Sequence, residues 1–201
     1  MYFKQSFRNL LFTLSVFFIS SCGDSELDHG NKFFSSKDYK AAVVSYTNYI
    51  ETHPKDARSL FNRGRAFEEM GELEKASSDY LNATKLDPYE INFKIASGMC
   101  NYKLTRYNQA IIDLNDAIKI NENNPEPYFV KGLALIKQGN VEGAMESYNT
   151  ALRFDKNHGG AYYHRGILKA LTGKKDACKD FEKAKILGEK NVDEALKKYC
   201  K

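Results

Sequence analysis

The chain has 201 residues, 42% hydrophobic and 28% charged, which is the composition of a folded globular protein and excludes a disordered one. The formal net charge is +4, and two of the positive residues, Lys4 and Arg8, lie in a leader segment. The remaining charge is too small to identify a partner, and the sequence contains no basic stripe of the kind that nucleic-acid binding needs.

The first 21 residues differ in character from the rest of the chain. Lys4 and Arg8 form a short positive region, a largely apolar run occupies positions 10–19, and two serines follow at positions 20–21. A positive start, a short apolar core and a small-residue exit are typical of a secretory signal peptide. The run is too short to cross a bilayer, which needs about 20 apolar residues. We therefore expect residues 1–21 to be a signal peptide.

The end of this leader resembles the bacterial lipobox. Ile19, Ser20, Ser21 and Cys22 reproduce its order of an aliphatic residue, two small residues and a cysteine. The resemblance implies that the Cys22 thiol carries diacylglycerol and that the new amino terminus carries a fatty acid such as palmitate. Residues 22–26 would then be a short tether, and the exported protein would lie on the periplasmic side of a membrane, the outer membrane in a Gram-negative cell. The alternative is an ordinary signal peptide followed by a chance cysteine.

After the leader, small residues recur every 34 positions. One series of glycines is Gly30, Gly64, Gly98, Gly132 and Gly166. A series of alanines with the same step is Ala42, Ala76, Ala110 and Ala144. A constant period with small residues in register predicts a helical solenoid, in which each unit buries its apolar face against the next.

The pattern resembles the tetratricopeptide repeat. The second copy matches that family best, and its matching residues are Gly64, Phe67, Ala76, Tyr80, Ala83 and Pro88. The resemblance implies an all-α, right-handed superhelical solenoid of about five helical hairpins within residues 27–190. The five copies would span residues 23–56, 57–90, 91–124, 125–158 and 159–190. A closing helix is expected in residues 191–201, with Asn191 capping its start and Glu194 completing a capping box.

Local signals predict where the helices of the second copy begin and end. We expect helices at about 57–70 and 73–86. Gly71 favours the left-handed conformation that ends a helix, and the Asp87-Pro88 pair ends the second helix, because the residue before proline avoids helical geometry.

The sequence gives almost no support to an enzyme. The four histidines occupy different repeat positions, and no pair has metal-ligand spacing. Acidic residues follow exposed helix faces, and no glycine-rich loop is spaced to hold a phosphate. We therefore predict no catalytic residues, no metal site and no cofactor, with surface or packing roles for the histidines.

Family geometry places a concave groove on the first helix of each copy. Its predicted residues are Phe61, Arg65, Ile95, Met99, Phe129, Leu133, Tyr163 and Ile167. Exposed apolar patches usually mark interaction sites, so the groove is a candidate site for a protein or peptide. The alternative is that these side chains pack on one another and are core. Some members of the family grip a C-terminal carboxylate, but only Asn62 and Arg65 suit that role, and we assign no such clamp.

The cysteines carry a separate prediction. Cys178 and Cys200 lie at matching distances from the turn that joins the last two predicted helices, so the hairpin would bring them level. Exported chains meet an oxidising compartment, which favours a disulfide. Two free cysteines are the alternative, because sequence alone does not determine pairing. Cys100 is expected to be a free thiol in the core.

These observations favour an envelope-anchored adaptor that binds a segment of a partner protein. A narrower version is an assembly factor for an outer-membrane or secretion complex. A carrier of a lipid or small ligand and an enzyme are the other classes, and a bound metal or an ordered catalytic cluster would favour the enzyme.

Overall fold

The computed structural model describes residues 22–174 and 176–200. The predicted signal peptide, residues 1–21, lies outside the described residues, as does the side chain of Cys22, so its lipidation stays a prediction. No helix within the described ranges is long and apolar enough to cross a membrane.

The described residues form eleven helices and no strands. They are α1 (Cys22–Ser35), α2 (Tyr39–Thr52), α3 (Ala57–Glu69), α4 (Leu73–Leu86), α5 (Ile91–Lys103), α6 (Tyr107–Ile120), α7 (Pro125–Lys137), α8 (Val141–Phe154), α9 (Gly159–Leu171), α10 (Ala177–Ile186) and α11 (Val192–Tyr199). Each odd-numbered helix from α1 to α9 pairs with the next helix, and each second helix packs on the following first helix. The predicted all-α stack of five hairpins with a closing helix is confirmed. Helix α1 includes residues 22–26, which the sequence analysis assigned to a tether.

The two helices of each hairpin approach closely because a glycine faces a large side chain. A Cβ atom added to Gly132 would lie 2.4 Å from Tyr148 Cε1, and one added to Gly64 would lie 2.9 Å from Tyr80 Cε1. Both tyrosines are almost completely buried. Any residue larger than glycine would therefore have to displace a ring in a close-packed core. Leu114 fills the same space beside Gly98 in the third hairpin.

The turn inside each hairpin reverses the chain through one left-handed residue. Gly71, Gly139 and Gly173 hold this position with φ of 76°, 77° and 72°. Lys37 and Thr105 take the same conformation at the equivalent positions of the first and third hairpins, with φ of 64° and 60°. A side chain is strained in this conformation, most of all a β-branched one such as threonine.

The closing helix α11 covers the end of the stack. Its Val192 and Ala195 are buried against α10, and Tyr199 stacks on the buried ring of Phe181. The predicted capping box is wrong, since Asn191 makes no side-chain cap hydrogen bond. Its backbone is left-handed, with φ of 63°, whereas a capping side chain usually projects from an extended residue.

A disulfide joins the last two helices. The Sγ atoms of Cys178 and Cys200 lie 2.10 Å apart, and their Cα atoms are 5.7 Å apart. Cys100 is a free, fully buried cysteine whose Sγ lies 3.3 Å from the carbonyl oxygen of Leu73. Burial raises the pKa of the Cys100 thiol to about 11, so the thiol stays protonated at neutral pH.

Candidate functional site

The eight predicted groove residues lie on α3, α5, α7 and α9, and we call the face that carries them the inner groove. All seven apolar members are half-buried, and Arg65 is exposed. Each of the seven apolar side chains therefore has part of its surface packed against neighbours and part of it open to solvent. The structure divides them into three groups along the groove.

The first group surrounds a hollow of about 480 Å³ between α3 and α5, which we call the α3–α5 hollow. Phe61, Ile95 and Met99 supply apolar walls, and Arg65 stands at its side. Phe61 also contacts the rings of Tyr80 and Phe93, with centroids 5.6 and 4.8 Å away. One face of Phe61 thus belongs to the core while another lines the hollow.

Glu68 forms the acidic wall of the α3–α5 hollow, and its carboxylate already has two partners. It accepts hydrogen bonds from the hydroxyl of Tyr80 and, at 2.7 Å, from Nζ of Lys103. Burial raises the pKa of Tyr80, and the hydrogen bond to Glu68 raises it further, so Tyr80 remains a neutral donor. The charge of Glu68 is balanced by Lys103 across the two helices.

The second group, Phe129 and Leu133, packs against the core of the fourth hairpin around Tyr148. The ring of Phe129 also contacts two histidines. The ring centroids of His158 and His164 lie 4.5 and 5.8 Å from that of Phe129. His158 Nδ1 accepts a hydrogen bond from the amide of Ala161 and so caps α9, while its Nε2 faces the Glu126 carboxylate at 3.4 Å. These contacts join the fourth hairpin to the fifth.

His164 is enclosed by aromatic rings. Its ring lies 6.0 Å from that of Tyr148 and 5.2 Å from that of Tyr163. Burial lowers the pKa of His164, His158 lowers it further, and the nearby Glu189 acts in the opposite direction. The neutral imidazole is therefore favoured in the folded protein.

The third group, Tyr163 and Ile167, packs against the core formed by α10 and α11. Tyr163 lies 6.2 Å from Phe181, measured between ring centroids. This end of the inner groove is consequently joined to the closing helix that the disulfide holds.

Two larger hollows open on the second helices of the hairpins. One, of about 710 Å³, includes Val141, Met145 and Arg153 of α8, and the other, of about 700 Å³, includes Leu81 of α4 and Ile112 of α6. Leu81 and Ile112 are about half exposed, at 51% and 53%. The sequence analysis did not nominate this surface, although apolar residues on the second helices could have indicated it.

The sequence analysis also missed a polar contact that recurs between hairpins. Arg63 forms a bidentate pair with Asp79 and donates to Thr47 of the preceding hairpin, at 2.8, 2.8 and 3.3 Å. Arg165 repeats this arrangement with Asp180 and Asn149. The 34-residue period contains the signal, because basic residues at one repeat position face acidic residues 15 or 16 positions later. These residues stabilise the stack and are not placed to perform chemistry.

Within the part of the chain that the structure describes, no group of three or more histidine, cysteine or acidic side chains could hold a metal ion. The inner groove instead offers apolar surface with a few polar groups, which suits binding.

Relatives share this repeat over part of their length. The chain is 29% identical to Hsp70-Hsp90 organizing protein 2 of Arabidopsis thaliana over 104 residues, 52% of this chain and 18% of that protein. It is 31% identical to human tetratricopeptide repeat protein 4 over 97 residues, 46% of this chain and 25% of that protein. The matched regions thus span about a quarter or less of these relatives.

Solved structures share the fold across most of the chain. A structure titled MamA 41-end, from Desulfovibrio magneticus RS-1, has a TM-score of 0.76 at 18% identity and covers 83% of this chain and 94% of its own. The structure titled YrrB, a TPR protein with an unusual peptide-binding site, has a TM-score of 0.69 at 20% identity and covers 86% and 90%. At these identities the likeness shows the fold alone.

Family models match most of the chain. A model described as tetratricopeptide repeat matches residues 27–91, a second with the same description matches residues 92–124, and one described as TPR repeat matches residues 132–173. The chain is a tetratricopeptide repeat protein.

Proposed function

We propose that this protein is an adaptor that is anchored in the bacterial cell envelope and binds a segment of a partner protein in its inner groove. The observation that carries the proposal is the half-burial of the seven apolar groove residues, three of which, Phe61, Ile95 and Met99, line the open α3–α5 hollow. Apolar surface that the fold positions but does not seal is available to a partner. Two similar proteins, Hsp70-Hsp90 organizing protein 2 and YrrB, a repeat protein with a peptide-binding site, agree with this class.

The role proposed is binding and not catalysis. The buried tyrosine, histidine and cysteine with shifted pKa values are held neutral within the core, which is a structural role. The narrower reading, an assembly factor for an outer-membrane or secretion complex, requires that the partner belong to such a complex. Identification of the partner decides between the two.

The proposal is tested by partner recovery from membranes. The wild-type chain and its variants are crosslinked in cells of the source organism, purified and compared by quantitative mass spectrometry. Phe129→Ala removes a groove ring, and Met99→Glu places a charge in the α3–α5 hollow. A central aromatic contact typically contributes about 2 kcal/mol, so the Phe129 variant should bind the partner roughly 30-fold more weakly and recover less of it.

Ile112→Ala is the matched control, because Ile112 is 53% exposed on the second helix of the third hairpin. It should leave recovery unchanged. Loss with Ile112→Ala but not with either groove variant would move the binding site to the hollow of about 700 Å³ that includes Ile112 and refute the proposal. Circular dichroism and thermal unfolding of each variant separate loss of binding from loss of fold, which matters for Phe129 because it also packs on Tyr148.

Membrane anchoring has its own test at Cys22. Cells that are fed a fatty-acid analogue should label the wild-type chain and fail to label the Cys22→Ser variant. A Cys22→Ser variant that is labelled as strongly as the wild type would refute lipidation at this residue.

A further inference from the structure

The guanidinium of Arg65 is held on aromatic rings at the side of the α3–α5 hollow. Its Cζ lies 4.6 Å from the ring centroid of Phe34 and 5.9 Å from that of Phe61. Arginine stacks on ring faces through its plane and presents its donors at the edge. Arg65 is therefore oriented by α1 and by its own helix before any partner arrives.

Among the side chains that the structure describes, those of residues 26–174 and 176–200, no carboxylate forms an ion pair with Arg65, whose guanidinium lies on the two rings. The two acids that follow it on α3 have other neighbours. Glu68 pairs with Lys103 at 2.7 Å. Glu69 is close enough to Tyr39 of α2 that, together with burial, its carboxylate raises the pKa of that hydroxyl. Since Lys103 balances Glu68, Arg65 is a cation on the wall of the hollow without an ion pair to either acid.

Apart from Arg65, Glu68 and the amide of Asn92, the walls of the α3–α5 hollow are apolar. Phe61, Ile95, Ala96 and Met99 enclose a space of about 480 Å³, which lies within the range of roughly 300–1,000 Å³ typical of binding pockets. An apolar side chain of a partner can occupy this space, and a carboxylate beside it on the partner would meet the guanidinium. An uncharged or basic neighbour would leave the cation unpaired.

We propose that the α3–α5 hollow is a specificity site for an internal acidic-apolar motif, in which an apolar side chain of the partner enters the hollow and an adjacent aspartate or glutamate side chain pairs with Arg65. This rests on the proposed function, because it names the kind of segment that the inner groove selects. The ring contacts hold the guanidinium in place for a bidentate pair, so the partner's carboxylate should strengthen binding by about tenfold.

The probe is a library of random 12-residue peptides displayed on phage, with each peptide fused through its carboxyl end. No peptide then has a free C-terminal carboxylate, so any selected acid is a side chain. Selection on the purified full chain should enrich peptides in which aspartate or glutamate adjoins a large apolar residue. A peptide selected in this way is synthesised with an amidated C-terminus, together with a twin in which each acid is replaced by its amide.

Fluorescence anisotropy then compares the two peptides on four proteins. The wild-type chain should bind the acidic peptide about tenfold more tightly than the twin, and Arg65→Gln should bind the two equally. Arg153→Gln is the control, because it removes an exposed arginine that lies over the ring of Phe154 on α8, away from the α3–α5 hollow. It should keep the wild-type preference. Met99→Glu should weaken binding of both peptides because its charge enters the hollow.

Equal binding of the acidic peptide and its twin by the wild-type chain would overturn the inference, as would an undiminished preference in Arg65→Gln. In both cases the proposed groove would stand if Met99→Glu still weakened binding. If the selected peptides bind Met99→Glu with the same affinity as the wild type, the groove is not their binding site, and both the proposed function and this inference are refuted.

Discussion

Breaking the disulfide between Cys178 and Cys200 is expected to release helix α11 from the end of the stack. The helix has eight residues, and isolated helices of this length are not stable in water. Its attachment depends on buried Val192 and Ala195, on the partly buried face of Tyr199, and on the covalent link to α10. Loss of the link should therefore make undocking and unfolding of α11 a single local event.

The length of the closed loop sets the size of the effect. The two cysteines are 22 residues apart in sequence. In the chain-entropy model, closing a loop of this length contributes about 3 kcal/mol. The population of the undocked state should then rise by roughly 100-fold in the absence of the bond. The first four hairpins are expected to keep their stability, because repeats interact mainly with their neighbours.

Hydrogen–deuterium exchange resolved by mass spectrometry measures this directly. Residues 192–199 should exchange much faster in Cys178→Ser/Cys200→Ser than in the oxidised wild type, and a reductant should accelerate exchange in the wild type alone. The serine variant in the presence of reductant is the control for effects at Cys100. Equal protection of α11 with and without the disulfide would refute the reasoning and assign its docking to packing alone.

Two further predictions concern strain and pH. Thr105→Gly should raise the free energy of unfolding by about 1 kcal/mol, since it removes a β-branched side chain from a left-handed backbone. Gly139→Thr should lower it by a similar amount, because it places such a side chain in the same conformation. No atom lies within 4 Å of the added Cβ, so backbone strain alone sets the effect. Urea denaturation of both variants checks this, and a loss of stability in Thr105→Gly would contradict it. Burial lowers the pKa of His164 in the folded chain, so as the pH falls the unfolded chain takes up a proton at this residue before the folded chain does. Stability that is present above about pH 6.5 should therefore be lost as the pH falls below that value. Denaturation between pH 7 and 5 should show a steeper loss in the wild type than in His164→Gln, and parallel profiles would exclude His164 as the cause.

The repeat pattern predicts the groove residues only as far as their helix face. Residues one period apart share a face, and the resemblance to the tetratricopeptide repeat family assigns the face of Phe61, Ile95 and Phe129 to the groove. The depth of each side chain depends on neighbours from other helices. Phe129 is half-buried because His158 and His164, both of the fifth hairpin, cover part of its ring. Nothing in the local sequence around Phe129 contains those contacts.

Conformation at the turns shows the same division. Gly71 could be predicted to be left-handed, because glycine carries no steric penalty there. Thr105 has an intrinsic preference against that conformation, with φ of 60°, and adopts it because helices α5 and α6 must pair in the same geometry as their neighbours. Asn191 likewise forms a left-handed turn residue and not the helix cap that its residue type suggested.

The sequence by itself determined the all-α fold, the number of hairpins, the positions of close helix approach and the face that carries the inner groove. The first three follow from small and apolar residues repeated with one period, which is information local to each copy, whereas the groove face follows from the resemblance to the tetratricopeptide repeat family. Only the tertiary structure decided which charged side chains form ion pairs and which lie on aromatic rings. Glu68 is matched by Lys103 of the next hairpin while Arg65 rests on Phe34 of the preceding one, and such pairings depend on distances between separate hairpins that no single repeat encodes.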